Sequence, residues 1–584
     1  MLSYGDNIIA RVKSRQPRIS SSQAFALRTE RLGPLPLINH FIKRLGLEPL
    51  LERYVPTTDR RCAVPHARAL GVLLRSIIVE REPIYRQQEA VQGFASVLYG
   101  LAPAQLERLD DDRLGRALDR LFLADRAALL TEIVVAAGRH FGVRLERLHN
   151  DSTSVAFCGQ YRDSHGRRRR GVREPVITYG YSKDHRPDLK QLLLILTTAA
   201  DGGVPVQFRV ADGNTNDSVT HIETWNTLRA VSGRADFLYV GDSKLCSHDN
   251  LDHIHRAGGR FVVVMPRSRR EDGHFREWIQ THTPEWSLVW DRPHSRHSDG
   301  PRDRWSVCCD PLPSTEGWPV IWVWSTLLTL NQQARRRRRL AAAVEALNAL
   351  RERLASPRSR LRRAAQIDLE VERILQQYRV RRYLKVQRIA RREDTFKQTR
   401  RGRPGPNTAY RRVTRKRYDL KWEIDQATID YDMKSDGMYP LLTNDRNLSP
   451  LEVLEAHKGQ PTIEKRFEQI KTVHEIRPVL LKNPGRIEAL FTLYFLALLV
   501  QALIERELRQ AMQRQGIPKL PIYPEQRLCE RPTTEQILRL FSLAERHTLL
   551  RASRTVQVFD PELTDLQRQV LSLLGVPTKA FAAG

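Results

Sequence analysis

The 584-residue chain has only six cysteines, at positions 62, 158, 246, 308, 309 and 529, scattered without a framework. That distribution excludes a disulfide scaffold and points to a reducing compartment. The opening MLSYGDNIIARVKSRQPR lacks the apolar stretch of a secretory signal, so the expected location is the cytoplasm. A bilayer-spanning run is missing as well. The segment EALFTLYFLALLVQALIERELRQ from Glu488 stays apolar only until Gln501, short of the ~18 to 20 residues a span requires, and reads as a buried core helix. No internal repeat and no long low-complexity tract is present. Acid is scarce relative to base: 67 Asp and Glu face 96 Lys and Arg, a formal charge of +29. An arginine-heavy surplus of this size points to a polyanion, most often nucleic acid, with a membrane surface as the rival.

The length suits roughly two to four domains. After an N-terminal tail, 1–24, residues 25–143 read as one all-α domain: LPLINHFIKRLG, ARALGVLLRSIIVE, DRLGRALDRLF and RAALLTEIVVAAGRHFG share apolar spacing near 3.6 and are separated by Pro or Gly. From 144 the period changes. RLERLHNDS and the two halves of KQLLLILTTAADGGVPVQFRVADGN read as strands, the latter pair joined by a DGG turn; THIETWNTLRAV is a helix, FLYVGDSK a strand, DNLDHIHRAG a helix and RFVVVMP a strand. Three strands followed by alternation resemble an RNase H-like mixed sheet, here the first part of a catalytic domain, 144–266. An α/β insertion, 267–445, interrupts it with strands at EWSLVWD, RWSVCCD and VIWVWSTL. The insertion also holds a basic helical arm, 331–417, with 28 Lys and Arg against 7 Asp and Glu, a net of +21. Leu340, Val344, Leu347, Leu350 and Leu354 give that arm a seam. After the RGRPGPNT turn, RYDLKWEID and YPLLTN are strands. The second part of the catalytic domain, 446–515, and a C-terminal region, 516–584, follow. The fold class is thus multidomain α+β.

Three carboxylates belong together on this reading. Asp151 closes the strand RLHNDSTSV, and Asp242 closes LYVGDSK, where active sites gather at the C-terminal ends of parallel strands. The third is in HKGQPTIEKRFEQIKT, residues 457–472. Pro461 suits a first helical turn, and Ile463, Phe467 and Ile470 form one apolar stripe. Glu464 sits at the edge of that stripe, with Lys471 two turns on and on the same side. Three such acids repel one another unless cations neutralise them, and hard oxygen donors suit Mg²⁺ or Mn²⁺. A pair of such ions supports phosphoryl transfer.

With these acids in this order, the chain resembles bacterial insertion-sequence transposases of the DDE type, in the IS-four superfamily. Their signature helix runs Tyr-x2-Arg-x3-Glu-x6-Lys; the register here reads His457, Gln460, Glu464 and Lys471, matching in the acid and the lysine. GYSKDHRPDLKQ, DGNTND and RPVLLKNPGRIEALFTLYFLALL look like family stretches too, so that the resemblance covers nearly the whole chain. It implies a metal triad of Asp151, Asp242 and Glu464, a DNA-binding region within 25–143, and cleavage at element ends followed by 3′-hydroxyl strand transfer. It further implies a homodimer in the synaptic complex and a bacterial, nucleoid-associated protein.

The expected DNA contacts are His457, Gln460 and Lys471 from the signature register, Lys183, His185 and Arg186 from the YSKDHRPDLK loop, and the run Arg335, Arg336, Arg337, Arg338 and Arg339. Glu468, one turn after Glu464, is the rival acid. Cys246, His248, His253 and His255 do not have the spacing of a zinc site and read as helix-surface residues. A nuclease with the same two-metal site and no joining step, and a DNA-binding protein without catalysis, remain the alternative functions.

Overall fold

The structure, a computed structural model, describes residues 25–293, 300–356, 359–474 and 481–582. The N-terminal tail and the start of the RPVLLK stretch lie outside the described residues. The protein is mixed α/β and divides into two compact units. One is formed by Met1–Val240, Arg256–Gly259 and Gly459–Gly584, the other by Gly241–His255 and Arg260–Lys458.

In the first unit the apolar periodicity of the N-terminal third produces helices at Leu35–Arg44, Leu47–Tyr54, His66–Val79, Asp111–Leu123 and Arg126–Phe141. Asp110 and Asp125 cap the last two, accepting from the backbone N–H groups of Arg113 and Ala128. The expectation of an all-α domain from residue 25 needs correction at its start. Phe25–Arg31 is a strand paired antiparallel with Glu545–Arg551, which pairs in turn with Arg554–Phe559. Its partner lies more than 500 residues away, so no local pattern announces it.

Four strands form the mixed sheet of this unit: β1 (Arg147–Phe157), β2 (Lys190–Ala199), β3 (Pro205–Ala211) and β4 (Leu238–Gly241). Their order is β3-β2-β1-β4, with β1 antiparallel to β2 and parallel to β4. This order and these directions are compatible with an RNase H-like sheet. β1 and β2 are buried almost throughout, which is why they read as near-continuous apolar or small-polar runs rather than as alternating strands.

The Pro484–Arg514 helix is long and apolar enough to cross a membrane by length and composition, yet 83% of its apolar window is buried within the protein. It packs against the N-terminal helices and β3. Next to it, His474 is fully enclosed, with Gln501 Oε1 beside its Nε2. Burial pushes the imidazole down to about 4. The unfolded chain takes up this proton near 6.5, so its contribution to stability is intact above that pH and is lost as pH falls toward 4. Between pH 7 and 5 the loss attributable to His474 is about 2 kcal/mol. His474→Gln should flatten the pH dependence of the urea midpoint by that amount, and an unchanged slope would count against a buried neutral imidazole.

In the second unit the strands β5 (Arg260–Val264), β6 (Ser287–Arg292), β7 (Asp303–Cys309), β8 (Val320–Ser325) and β11 (Met438–Thr443) run antiparallel in the order β5-β11-β8-β7-β6. The basic arm differs from expectation. It begins with the helices Thr326–Ala355 and Ala364–Gln377, but continues as a long antiparallel hairpin, β9 (Leu384–Gln398) and β10 (Tyr410–Ile424). The hairpin is held by cross-strand ion pairs, Arg417 to Glu393 and Arg391 to Asp419 among them. Strand pairing is hard to read in LKVQRIARREDTFKQ because charged residues occupy both of its faces. The seam itself is real: Leu340, Leu347, Leu350 and Leu354 pack with Ile367, Ile374, Leu384 and Leu420 in one core.

Candidate active site

Asp151 sits in the middle of β1, opposite Leu196 of β2. Its Oδ1 accepts the Ser152 backbone N–H at 2.7 Å. Lys183 is placed beside it. The ammonium lies 3.8 Å from Asp151 Oδ1 and 3.0 Å from Asp217 Oδ2, and donates to the Ser152 carbonyl and hydroxyl at 2.6 and 2.8 Å. The Lys183 backbone N–H also donates to Ser154 Oγ. Lys183, expected to contact DNA, therefore bridges two carboxylates in this structure. Asp217, in the family-like stretch DGNTND, is the site residue that sequence reasoning noted without giving it a role.

The helix carrying Glu464 runs Pro461–Glu468 with Pro461 at its first position, and continues as one wider turn over Gln469–Val473. Ile463, Phe467 and Ile470 are buried, as their spacing predicts. Two polar anchors fix it to the sheet. Gln460 Nε2 donates to the Asn150 carbonyl at 3.0 Å and its Oε1 lies 3.3 Å from His149 Nδ1. Gln460, expected to contact DNA, is buried here, and its amide locks the helix start to the two residues preceding Asp151. The second anchor is Arg466, which donates to the carbonyls of Gly203 and Gly202 and to Gln469 Oε1, and pairs with Glu505 at 2.9 Å. Gly203 takes a left-handed φ of +63° in the β2–β3 turn, and a Cβ there would collide with Thr462. The DGG turn thus lets the helix approach closely.

Glu464 lies on the exposed side of this helix, as does Glu468. Neither makes an ion pair or a side-chain hydrogen bond to another described residue. Lys471 donates to Asp184 Oδ1 at 2.8 Å, so its ammonium is engaged on the same loop as Lys183. His185, in that loop, is exposed with a left-handed φ of +57°, and Arg186 is held bidentate by Asp188 on the surface.

Behind Asp151 lies a buried polar network. Thr197 Oγ1 donates to Asn150 Oδ1, Asn150 Nδ2 lies 3.4 Å from His221 Nδ1, and that nitrogen is 3.1 Å from the Tyr239 hydroxyl. Burial pushes His149 and His221 down to about 4. Both rings are neutral at physiological pH and serve as rigid supports.

In the second unit Asp242 is half-buried in the turn after β4, where its Oδ1 accepts the Lys244 backbone N–H at 2.9 Å. His457 faces the Tyr439 ring at a centroid distance of 5.4 Å. Arg336 is half-buried against Asp436 in a bidentate pair at 2.6 and 2.9 Å, so its guanidinium is already engaged within the protein. Arg335, Arg337 and Arg338 are exposed and Arg339 half-buried. Cys246 is buried beside Arg269, contrary to its reading as a surface residue, and burial pushes its thiol up to about 11.

Among the described residues no three His, Cys, Asp or Glu side chains are grouped to hold a metal ion. Asp151 and Asp217 are hard oxygen donors of the type that divalent cations take, and in this structure the Lys183 ammonium supplies the positive charge beside them.

A family profile described as a domain of unknown function, DUF4277, matches residues 27–135. That is the helical part of the first unit. No curated protein sequence matches the chain. Among solved structures, a cryo-EM structure of the piggyBac transposase synaptic complex with hairpin DNA is similar at 9% identity and a TM-score of 0.24. The similarity covers 50% of this chain and 60% of that one.

Proposed function

We propose that the protein is a DNA transposase that cuts at the ends of a mobile element and joins them to target DNA. The observation that carries this reading is the helix of Glu464 pinned through Gln460 to the residues preceding Asp151 on β1, an interior strand of the mixed sheet. The resemblance to the DDE signature and the +29 charge agree with it.

Asp151, Asp242 and Glu464 are the proposed holders of Mg²⁺ or Mn²⁺, with Asp217 beside Asp151. The bound ions would supply charge stabilisation for phosphoryl transfer. The residues of the chain orient the reaction. A water oxygen attacks the phosphorus at the element end, the bond from phosphorus to the 3′ oxygen breaks, and a 3′-hydroxyl is released. That hydroxyl then attacks a target phosphodiester, so one bond forms as another breaks and no outside energy source enters.

The deciding experiment incubates the purified protein with Mg²⁺, a labelled element end and a plasmid target. Joined product supports a transposase. Nicked ends without joining would identify a nuclease using the same site, and end binding without cutting would identify a DNA-binding protein.

Lys183 gives a test that does not depend on activity. Lys183→Ala leaves Asp151 and Asp217 without their shared ammonium and removes two charge-assisted bonds to Ser152, a loss of about 1 to 3 kcal/mol. Millimolar Mg²⁺ should restore part of that stability in the variant. A Tm of the variant that ignores Mg²⁺ would show that this carboxylate pair is not a cation site.

A further inference from the structure

The Arg335 to Arg339 run is not one uniform basic face. Arg336 turns inward to Asp436, while Arg335 and Arg339, four residues apart, border a cavity of about 260 Å³ in the second unit. Arg267 and Arg379 approach from other segments, and Tyr383 forms part of the wall. Asp436 is the only carboxylate of the lining, and the bidentate Arg336 pair occupies both of its oxygens. The Tyr383 hydroxyl donates outward to Asp432.

Arg267, Arg335, Arg339 and Arg379 make no ion pair with any described residue, whereas neighbouring arginines do: Arg381 pairs with Glu372 and Arg382 with Asp432. Like charges four apart on a helix are destabilising. Burial together with Arg335 and Arg379 pulls Arg339 below its usual range. Arg379 also takes a left-handed φ of +54° after the Ala364–Gln377 helix, a conformation that is strained for a non-glycine residue. Four guanidinium groups with no ion pair to a described residue thus line one concave surface, and a bound anion would relieve their mutual repulsion. Guanidinium forks match phosphate geometry.

We propose that this cavity binds a phosphate group of a DNA backbone through Arg335, Arg339, Arg379 and Arg267. The phosphate chemistry follows from the cavity alone, while DNA as its source rests on the function proposed above.

The test uses full-length protein and a fluorescent duplex, with affinity measured across salt concentrations. Arg339→Gln and Arg379→Gln should each weaken binding about tenfold, as for one charge-assisted bond lost. The log-log salt slope should fall by about 0.9 for each phosphate contact removed. Arg353→Gln, exposed on the same helix but outside the cavity, serves as the control. Arg379→Lys, which keeps the charge, should recover part of the loss. Equal effects in cavity and control variants would overturn the proposal in favour of diffuse attraction.

Inorganic pyrophosphate, titrated at constant ionic strength, separates the sources. Competition with duplex in wild type, abolished in Arg339→Gln, supports a backbone phosphate. Cavity-dependent pyrophosphate binding that leaves the duplex salt slope unchanged would overturn DNA as the occupant. Because these are binding measurements, they stand whether or not the protein cuts DNA, and a failed cleavage assay would leave them intact.

Discussion

Asp151→Asn should reduce Mg²⁺-dependent cleavage of an element end by at least about 100-fold, the effect of losing some 3 kcal/mol of charge stabilisation at the reacting phosphate. The substitution keeps the size of the side chain, so β1 and the Asn150 network should stand and end binding should survive, since phosphate contacts elsewhere position the DNA. Asp242→Asn and Glu464→Gln should behave alike. Glu468→Gln is the informative comparison, because both glutamates share the exposed side of one helix and only chemistry distinguishes them. Full activity in Glu464→Gln with loss in Glu468→Gln would assign the third carboxylate to Glu468. Full activity in Asp151→Asn would remove β1 from the reaction altogether.

The largest effect on stability is expected at Arg466. Its side chain is 6% exposed and that of Glu505 is 7% exposed, and the guanidinium also serves two backbone carbonyls of the β2–β3 turn. Arg466→Ala leaves the buried Glu505 carboxylate with only the longer Arg509 pair at 3.6 Å and the Thr534 backbone N–H, and removes the donor of both carbonyls, a change expected to cost about 3 kcal/mol. Because Arg466 fastens the helix of Glu464 to the turn at Gly202 and Gly203, cleavage should fall as well, with duplex affinity retained at temperatures where the variant is folded. Arg466→Ala combined with Glu505→Gln should recover part of the stability, because the buried charge that lost its shortest ion pair is then gone. A cost below about 1 kcal/mol in urea unfolding would show that this pair contributes no more than a surface one does.

Much of this was legible in the residues alone. The 3.6 spacing of Ile463, Phe467 and Ile470 specified a helix and its buried side, because periodicity is a local property of the chain. The apolar and small-polar runs around Asp151 and from Lys190 marked buried strands for the same reason, and the excess of arginine raised the expectation of a polyanion partner. Tertiary structure decided the rest. Phe25–Arg31 is a strand only because Glu545–Arg551 pairs with it, and Leu384–Gln398 because the RGRPGPNT turn folds Tyr410–Ile424 back against it. Whether a charged or amide side chain meets solvent or the interior likewise depends on what lies across from it. Lys183 faces Asp217, Gln460 faces Asn150 and Arg466 faces Glu505. Burying such groups is tolerable only when a partner, often hundreds of residues distant, satisfies them, and a sequence specifies that partner only through the whole fold.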